Sequence, residues 1–287
     1  DSVNVTSFLF PSVDPVKQPP VPNFLKDDRF ILFVSGFNVE NSIDPKIPLL
    51  VDFITGINGT KSELKTVSKI SKVIVAGNLV RPSQKQVNEI ASEIFVNRSI
   101  GGAGLYDLVE PMKKIDKYLS IIGQSVDIDI MPGATDPVNM MFPQQPLHKS
   151  CLPLSYELKS IMAVTNPHSI TCDGVLCTGT SGQNVDSFKE YSSLTEPADI
   201  LKYILSTGHL APTLPDMLRS FSYNNADPFI FDSVPHLFFA GNQPSFASRN
   251  VQLSKDKFVS LLSIPTFSQT GEIVLFSTKT RASKIIK

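Results

Sequence analysis

Apolar residues in the first half of the chain fall in short continuous runs, each closed by a glycine-containing turn. Phe30-Ile31-Leu32-Phe33-Val34 ends at Ser35-Gly36, and Lys72-Val73-Ile74-Val75-Ala76 ends at Gly77-Asn78. Val126-Asp127-Ile128-Asp129-Ile130 runs into Met131-Pro132-Gly133. Apolar runs of this length between turn residues predict buried strands. Between the first two, residues 48–57 predict a helix stopped at Gly56 and Asn58-Gly59. Between the second and third, Leu105, Leu108, Val109, Met112, Ile115, Leu119 and Ile122 recur at helical spacing over 105–123. Strands alternating with helices predict an α/β sheet with parallel strands. Ligands of such sheets bind at the carboxyl ends of the strands, so the turns are where chemistry would sit.

The second half reads differently. Residues 169–180 alternate around Asp173-Gly174, a hairpin signal, and the second strand of this hairpin is expected to end near Thr178. A helix is expected over 197–207 and a strand over 236–241. Two further strands, 258–264 and 272–277, share Gln269-Thr270-Gly271 as their turn. These elements predict a second, partly antiparallel sheet. Residues 1–28 hold Pro11, Pro15, Pro19, Pro20 and Pro22, which suit neither helix nor central strand. They read as an extended lead-in wrapping the surface of one domain spanning 29–287.

Composition narrows the picture by exclusion. The 287 residues are 41% hydrophobic and 18% charged, enough for a sizeable core. Lys and Arg number 26 against 27 Asp and Glu, a net charge of -1 that weighs against a broad nucleic-acid-binding surface. No run of about 18 apolar residues predicts a membrane span, and no signal peptide is readable. The chain begins at Asp1, which reads as a truncation. Cys151, Cys172 and Cys177 lack metal-site spacing and read as reduced thiols inside a cell. The N-x-S/T triplets at Asn4, Asn58 and Asn97 are not expected to carry glycans. Lys61, Lys65, Lys69 and Lys72 read as a solvated face, His148 as a packing residue, and Gln144 and Gln145 as pins for a loop.

The turns also carry a chemical argument. Two-metal phosphoester hydrolysis needs two cations held by Asp, His and Asn ligands from several strand ends. The order of turns resembles the calcineurin-like metallophosphoesterase fold, an αββα sandwich of two mixed sheets, with its ligand positions degenerate. Gly36 and Asn38 stand where that family has Asp and His. Asn78 replaces the bridging Asp, and Arg81 a later acid. Ala134 and Thr135 replace Asn and His, and Asn242 and Pro244 replace two His. Asp136 and His209 remain as ordinary ligand types. Hard divalent cations need anionic oxygens or several imidazoles, so no metal, no cofactor and no catalysis are expected. Asn78 and Asn242 are expected to tie the strand-end loops together. A metal-dependent phosphodiesterase with an unusual metal site is the alternative, and a direct DNA-binding module is a third reading.

A set of strings makes the resemblance narrower. Pro132-Gly133-Ala134-Thr135-Asp136-Pro137 leads to Pro143-Gln144-Gln145-Pro146-Leu147-His148 and Thr165-Asn166-Pro167. Then come Gly179-Thr180-Ser181-Gly182-Gln183-Asn184, His209-Leu210-Ala211-Pro212-Thr213-Leu214-Pro215-Asp216 and Gly241-Asn242-Gln243-Pro244-Ser245-Phe246. In this order, over about residues 28–280, they resemble the family of small (B) subunits of eukaryotic DNA polymerase delta. The resemblance implies a nuclear, non-catalytic scaffold in DNA replication, repair and translesion synthesis. It would join the cysteine-rich C-terminal domain of the DNA polymerase delta catalytic subunit to the third polymerase delta subunit, and through that to the sliding clamp. It would also serve the polymerase zeta catalytic subunit. The family places an oligonucleotide/oligosaccharide-binding (OB) fold ahead of the phosphoesterase-like domain, and no five-stranded barrel is readable before residue 28. Partner-contact residues are not readable from sequence.

Overall fold

A computed structural model describes residues 13–14, 17–21, 28–83 and 108–287. The apolar runs become the central strands of two mixed sheets. The first sheet holds β1 (Phe30–Val34), β2 (Ile70–Ala76), β3 (Asp127–Met131), β4 (Ile161–Ala163), β10 (Ile273–Ser277) and β11 (Ser283–Ile286), in the order β11-β10-β1-β2-β3-β4. Strands β1 to β4 are parallel, as the alternating pattern predicts, while β10 and β11 run antiparallel. The second sheet holds β5 (His168–Cys172), β6 (Val175–Thr180), β7 (Leu237–Gln243), β8 (Ala247–Gln252) and β9 (Phe258–Pro265), in the order β5-β6-β7-β9-β8. Its centre, β6-β7-β9, is parallel and its edges are antiparallel.

Side-chain alternation along the strands sorts the core into three layers. Leu32, Val34, Val73, Val75, Ile128 and Ile130 face outward and pack on helices α1 (Lys46–Thr55) and α3 (Val109–Gly123). Ile31, Phe33, Ile74 and Ala76 face the other way and meet Cys177, Leu237, Phe239 and Leu262 of the second sheet. The Phe33 and Phe239 rings lie 5.0 Å apart in that layer. On the far side, Phe238, Ala240, Val259 and Leu261 are covered by Ile200, Leu201, Ile204 and Leu205 of α6 (Pro197–Thr207). This is the expected αββα sandwich.

Several expectations need correction. Helix α1 starts at Lys46 rather than Pro48, with Pro48 inside its first turn, where a missing N–H leaves no bond unmade. Its end at Gly56, in the left-handed conformation, is as predicted. A short helix α2 (Lys61–Val67) follows, closed by a capping box of Thr60 and Glu63 that the lysine spacing hides. Strand β3 is shifted one residue, to Asp127–Met131, and β6 runs on to Thr180 because Gly179 and Thr180 pair with Phe239 and Ala240. The strands expected to share the 269–271 turn are not a hairpin. β9 lies in the second sheet and β10 in the first. Helix α7 (Phe267–Thr270) carries the chain between them, held where Phe267 N–H donates to Ser35 O at 2.8 Å. Helices α4 (Pro153–Tyr156) and α5 (Gln183–Glu190) and strands β4, β8 and β11 are further elements that the apolar pattern does not announce. Leu105, Asn4, Asn97, Pro11, Pro15 and Pro22 lie outside the described residues.

Part of the proline-rich lead-in is described. Gln18 Nε2 donates to Pro235 O at 3.1 Å and to Phe258 O at 3.0 Å, and His236 Nε2 lies 2.9 Å from Pro19 O. Residues 17–21 therefore pack against the starts of β7 and β9. Among the described residues no helix is long and apolar enough to cross a membrane.

Candidate functional site at the strand ends

The carboxyl ends of β1, β2, β3, β6 and β7 converge, and their turns touch one another directly. Gly36 N–H donates to Gly77 O at 2.9 Å, and Asn38 N–H to Asn78 O at 3.0 Å. Asn38, Asn78 and Asn242 all adopt positive φ, 47°, 57° and 56°. Among non-glycine residues Asn tolerates that conformation best, because its short amide bonds locally. The three asparagines therefore shape the turns.

Each amide is bonded to protein. Asn78 Oδ1 accepts from Thr135 N–H at 3.2 Å, and Thr135 Oγ1 donates to Val80 O at 2.6 Å. Asn38 Nδ2 donates to Ser268 Oγ at 3.0 Å. Asn242 Nδ2 donates to Ala76 O at 3.0 Å and Ser181 O at 2.8 Å, which joins the two sheets and fixes the amide's orientation. Its Oδ1 is buried without a hydrogen-bond partner. The expected tying role of Asn78 and Asn242 is visible in these bonds. Ala134 is exposed and Pro244 lies in the exposed bend after β7; neither side chain carries a group that binds a cation.

Asp136 is 6% exposed. Its carboxylate accepts from Gly133 N–H at 2.8 Å, Asn78 N–H at 2.9 Å and Val80 N–H at 3.2 Å. Burial pushes its pKa up to about 6 against the pull of these backbone donors. Both oxygens are occupied in fastening the third loop to the second.

The space is filled as well as the lone pairs. A Cβ on Gly133 would stand 2.2 Å from Asn78 Oδ1 and 2.3 Å from Asn78 N. One on Gly182 would stand 2.1 Å from Gly241 O, and one on Gly77 2.8 Å from Gly133 Cα. Glycines here let backbones approach to contact. Dinuclear hydrolysis needs two cations about 4 Å apart with an anionic bridge. The groups present are neutral amides, one backbone-bonded carboxylate, and Arg81, which is exposed. That donor set does not fit such a centre. Among the described residues no group of three or more His, Cys, Asp or Glu is placed to hold a metal ion.

His209 stands apart from this cluster. Its Nε2 is 2.9 Å from Asp227 Oδ2 and its Nδ1 accepts from Ala211 N–H at 3.1 Å. His148 is exposed and accepts from Ser150 N–H at 3.2 Å, which is a turn contact rather than the packing expected. Gln145 is exposed, and among the described residues it pins no loop. Lys72 departs most from its reading: it is no member of a solvated face but bonds Asp129 Oδ1 at 2.7 Å.

Sequence reasoning misses the polar hub beside the strand ends. Asn166 Nδ2 donates to Gln144 Oε1 and to Ser181 Oγ, both at 2.7 Å, and Ser181 N–H donates to Asn166 Oδ1 at 3.1 Å. Gln183 Nε2 donates to Gln144 Oε1 at 3.0 Å, and Gln144 Nε2 reaches Gly133 O at 3.2 Å. Gln144, Asn166 and Ser181 are almost wholly buried. The signal is present in the chain, since these amides sit inside three of the strings that carry the resemblance.

Comparison with known proteins bears on this geometry. A family model that describes the B subunits of DNA polymerases alpha and epsilon matches residues 31–248. The DNA polymerase delta small subunit of Arabidopsis thaliana is 35% identical over 252 residues, 87% of this chain and 56% of that protein. DNA polymerase delta subunit 2 of Drosophila melanogaster is 34% identical over 283 residues, 99% of this chain and 64% of that protein. The chain thus spans less than two thirds of either relative. A solved archaeal phosphodiesterase aligns over 90% of this chain and 98% of its own at 11% identity, with a TM-score of 0.42, a likeness that carries no argument.

Proposed function

The chain belongs to the family of DNA polymerase alpha/epsilon B subunits, and from that membership we propose that it acts as a non-catalytic small subunit of DNA polymerase delta. Its delta-type relatives support the choice of polymerase. The observation that carries the non-catalytic reading is the Asp136 carboxylate, whose oxygens are taken up by the backbone N–H groups of Gly133, Asn78 and Val80. Strand-end loops cross-linked in this way favour rigidity, and a rigid platform suits a protein that holds others together.

In this reading the chain links the cysteine-rich C-terminal domain of the polymerase catalytic subunit to the third subunit, with the sliding clamp engaged indirectly. It serves DNA polymerase zeta in the same way, and it works in the nucleus. The test is co-expression with the catalytic subunit's C-terminal domain, scored for a stoichiometric complex by size exclusion. A correctly folded chain, extended to the length of its relatives, that fails to co-elute overturns the proposal. Metal analysis of the same complex separates it from the phosphodiesterase alternative, which requires two bound divalent cations per chain.

A further inference from the structure

The segment after α6 builds an open groove with no part in the strand-end cluster. Two sets of backbone bonds pin it. Leu210 N–H donates to Phe229 O at 2.8 Å and Phe231 N–H to Gly208 O at 3.0 Å. Phe142 N–H donates to Arg219 O at 2.9 Å and Phe221 N–H to Phe142 O at 3.1 Å. Between these anchors lies a cavity of about 250 Å³, lined by His209, Pro215, Phe221, Tyr223, Asp227 and Phe229 among others. Phe229 is its buried floor. The Phe229 ring sits 6.3 Å from Phe142, 5.9 Å from His209 and 6.4 Å from Tyr223, the last at 79°. Phe221 and Tyr223 stand 37% and 45% exposed, with Met217 and Ile230 more exposed nearby.

Three kinds of ligand use exposed rings, and charge and shape choose between them. A single-stranded nucleic acid would stack its bases on the rings. Residues 209–233, however, carry Asp216, Asp227 and Asp232 against Arg219 alone, which repels phosphates. An amphipathic helix needs apolar holes at one-turn spacing, whereas this groove is lined by the rings of Phe221, Tyr223 and Phe229 and by Pro215. A polyproline II segment fits both. It lays proline rings between aromatic side chains, its conformation is already ordered, and its carbonyls lack internal partners. Tyr223, Ser220 and Ser222 line the cavity, and each carries a hydroxyl able to donate to such carbonyls. Asp227 is held in place, one oxygen accepting from Phe229 N–H at 2.9 Å and the other 2.9 Å from His209 Nε2, and it remains 44% exposed to meet a cation.

We propose that this groove docks a proline-rich segment flanked by Arg or Lys, presented by a partner protein. The chain's own Pro19 lies against His236 at the start of β7, so that stretch is not the occupant. The proposal stands independently of the polymerase reading, because it rests on the groove alone.

Fluorescence anisotropy with a labelled peptide of ten prolines followed by two arginines tests it on the whole chain. Saturable binding is expected, weakened by about tenfold or more in Tyr223→Ala or Phe221→Ala, as for truncation of an aromatic anchor. Exchanging the two arginines for glutamates weakens it as well. Ser222→Arg gives a second, non-truncating variant that places a cation on the groove wall and repels the arginines. Thermal unfolding of each variant confirms that it is folded. Absence of saturable binding, binding unchanged in all three variants, or tighter binding of an oligo-dT strand at the same groove overturns the proposal.

Discussion

The carboxylate of Asp136 lies 2.9 Å from the backbone nitrogen of Asn78, so an acid on the third strand-end loop closes the second. Two further N–H groups, of Gly133 and Val80, point at the same carboxylate. Asp136→Ala strips all three of their partner in a buried site. Each buried, unsatisfied donor costs roughly 1–3 kcal/mol, so a loss of about 3 kcal/mol or more is expected in urea unfolding at pH 7. The variant should refold with the same secondary structure by circular dichroism. A loss under about 1 kcal/mol would show that the loops are not fastened through this acid.

The same residue sets a pH dependence. Its folded pKa, about 6, lies above its ordinary value of 3.8. A raised pKa means that this group's contribution to stability is fully present below the unfolded pKa and is lost as pH rises through 6. Relative to Asp136→Asn, which does not titrate, the unmodified chain should gain stability as pH falls from about 7 to 4. At about 1.4 kcal/mol per pKa unit the gain is on the order of 3 kcal/mol. A stability difference between the two proteins that is flat over that range removes the argument.

The glycines give a graded test. Gly133→Ala drives a methyl into Asn78 at 2.2 Å, against backbone as well as side chain. Gly56→Ala meets only Leu64 Cδ2 at 3.6 Å, so its penalty is the left-handed φ of 73° alone. The second change should cost about 1 kcal/mol. The first should cost upwards of about 3 kcal/mol or abolish soluble expression. Equal melting temperatures for the two variants would mean that the strand ends yield easily.

How much of this was legible turns on where information sits in a chain. Phe30–Val34 declares itself because both faces of a central strand are buried and all five of its residues are apolar, and β2 and β3 carry enough of the same pattern in Val73–Ala76 and Ile128–Met131. The edge strand β5 shows through its Asp173-Gly174 hairpin turn, but the edges β8 and β11 do not show. β8 reads Ala-Ser-Arg-Asn-Val-Gln, and β11 is four residues long; their pairing comes from β9 and β10 rather than from pattern. The divergence of β9 and β10 is likewise tertiary, since the Gln269-Thr270-Gly271 turn is equally compatible with a hairpin. At the site, the neutral residue types Asn38, Asn78, Ala134, Thr135 and Asn242 could be read residue by residue. The hub of Gln144, Asn166, Ser181 and Gln183 could not, because the four residues span 40 positions and only the folded loops bring them together.

Divalent cations offer a direct check on the strand ends. A ligand present at a hundred times its dissociation constant adds about 2.7 kcal/mol to folding stability. With neutral amides at the strand ends, millimolar Mn²⁺ or Mg²⁺ should leave the melting temperature unchanged in a thermal-shift assay. Hydrolysis of bis-p-nitrophenyl phosphate should stay at background in the presence of Mn²⁺, with or without Asp136→Ala. A metal-dependent rate that Asp136→Ala removes would restore the phosphodiesterase reading.

The last expectation concerns charge buried where the lysine pattern suggested solvent. Asp129 on β3 is 1% exposed, and it is gripped by Lys72 of β2 at 2.7 Å and His168 of β5 at 3.1 Å. Burial alone would raise its pKa, but the hydrogen bonds from His168 and Lys72 outweigh it and hold the carboxyl below its usual range. A lowered pKa contributes stability present above the unfolded pKa and lost as pH falls through the folded one. Lys72→Met leaves the carboxylate in the interior with one partner, which costs about 3–5 kcal/mol for a buried pair broken on one side. That deficit should be full at pH 7 and shrink below about pH 4, where Asp protonates in the unfolded chain. Adding Asp129→Leu to Lys72→Met removes the stranded charge, so the double variant should recover much of the loss in urea unfolding. A double variant no more stable than Lys72→Met alone would place the cost in the packing of the lysine stem instead of in the ion pair.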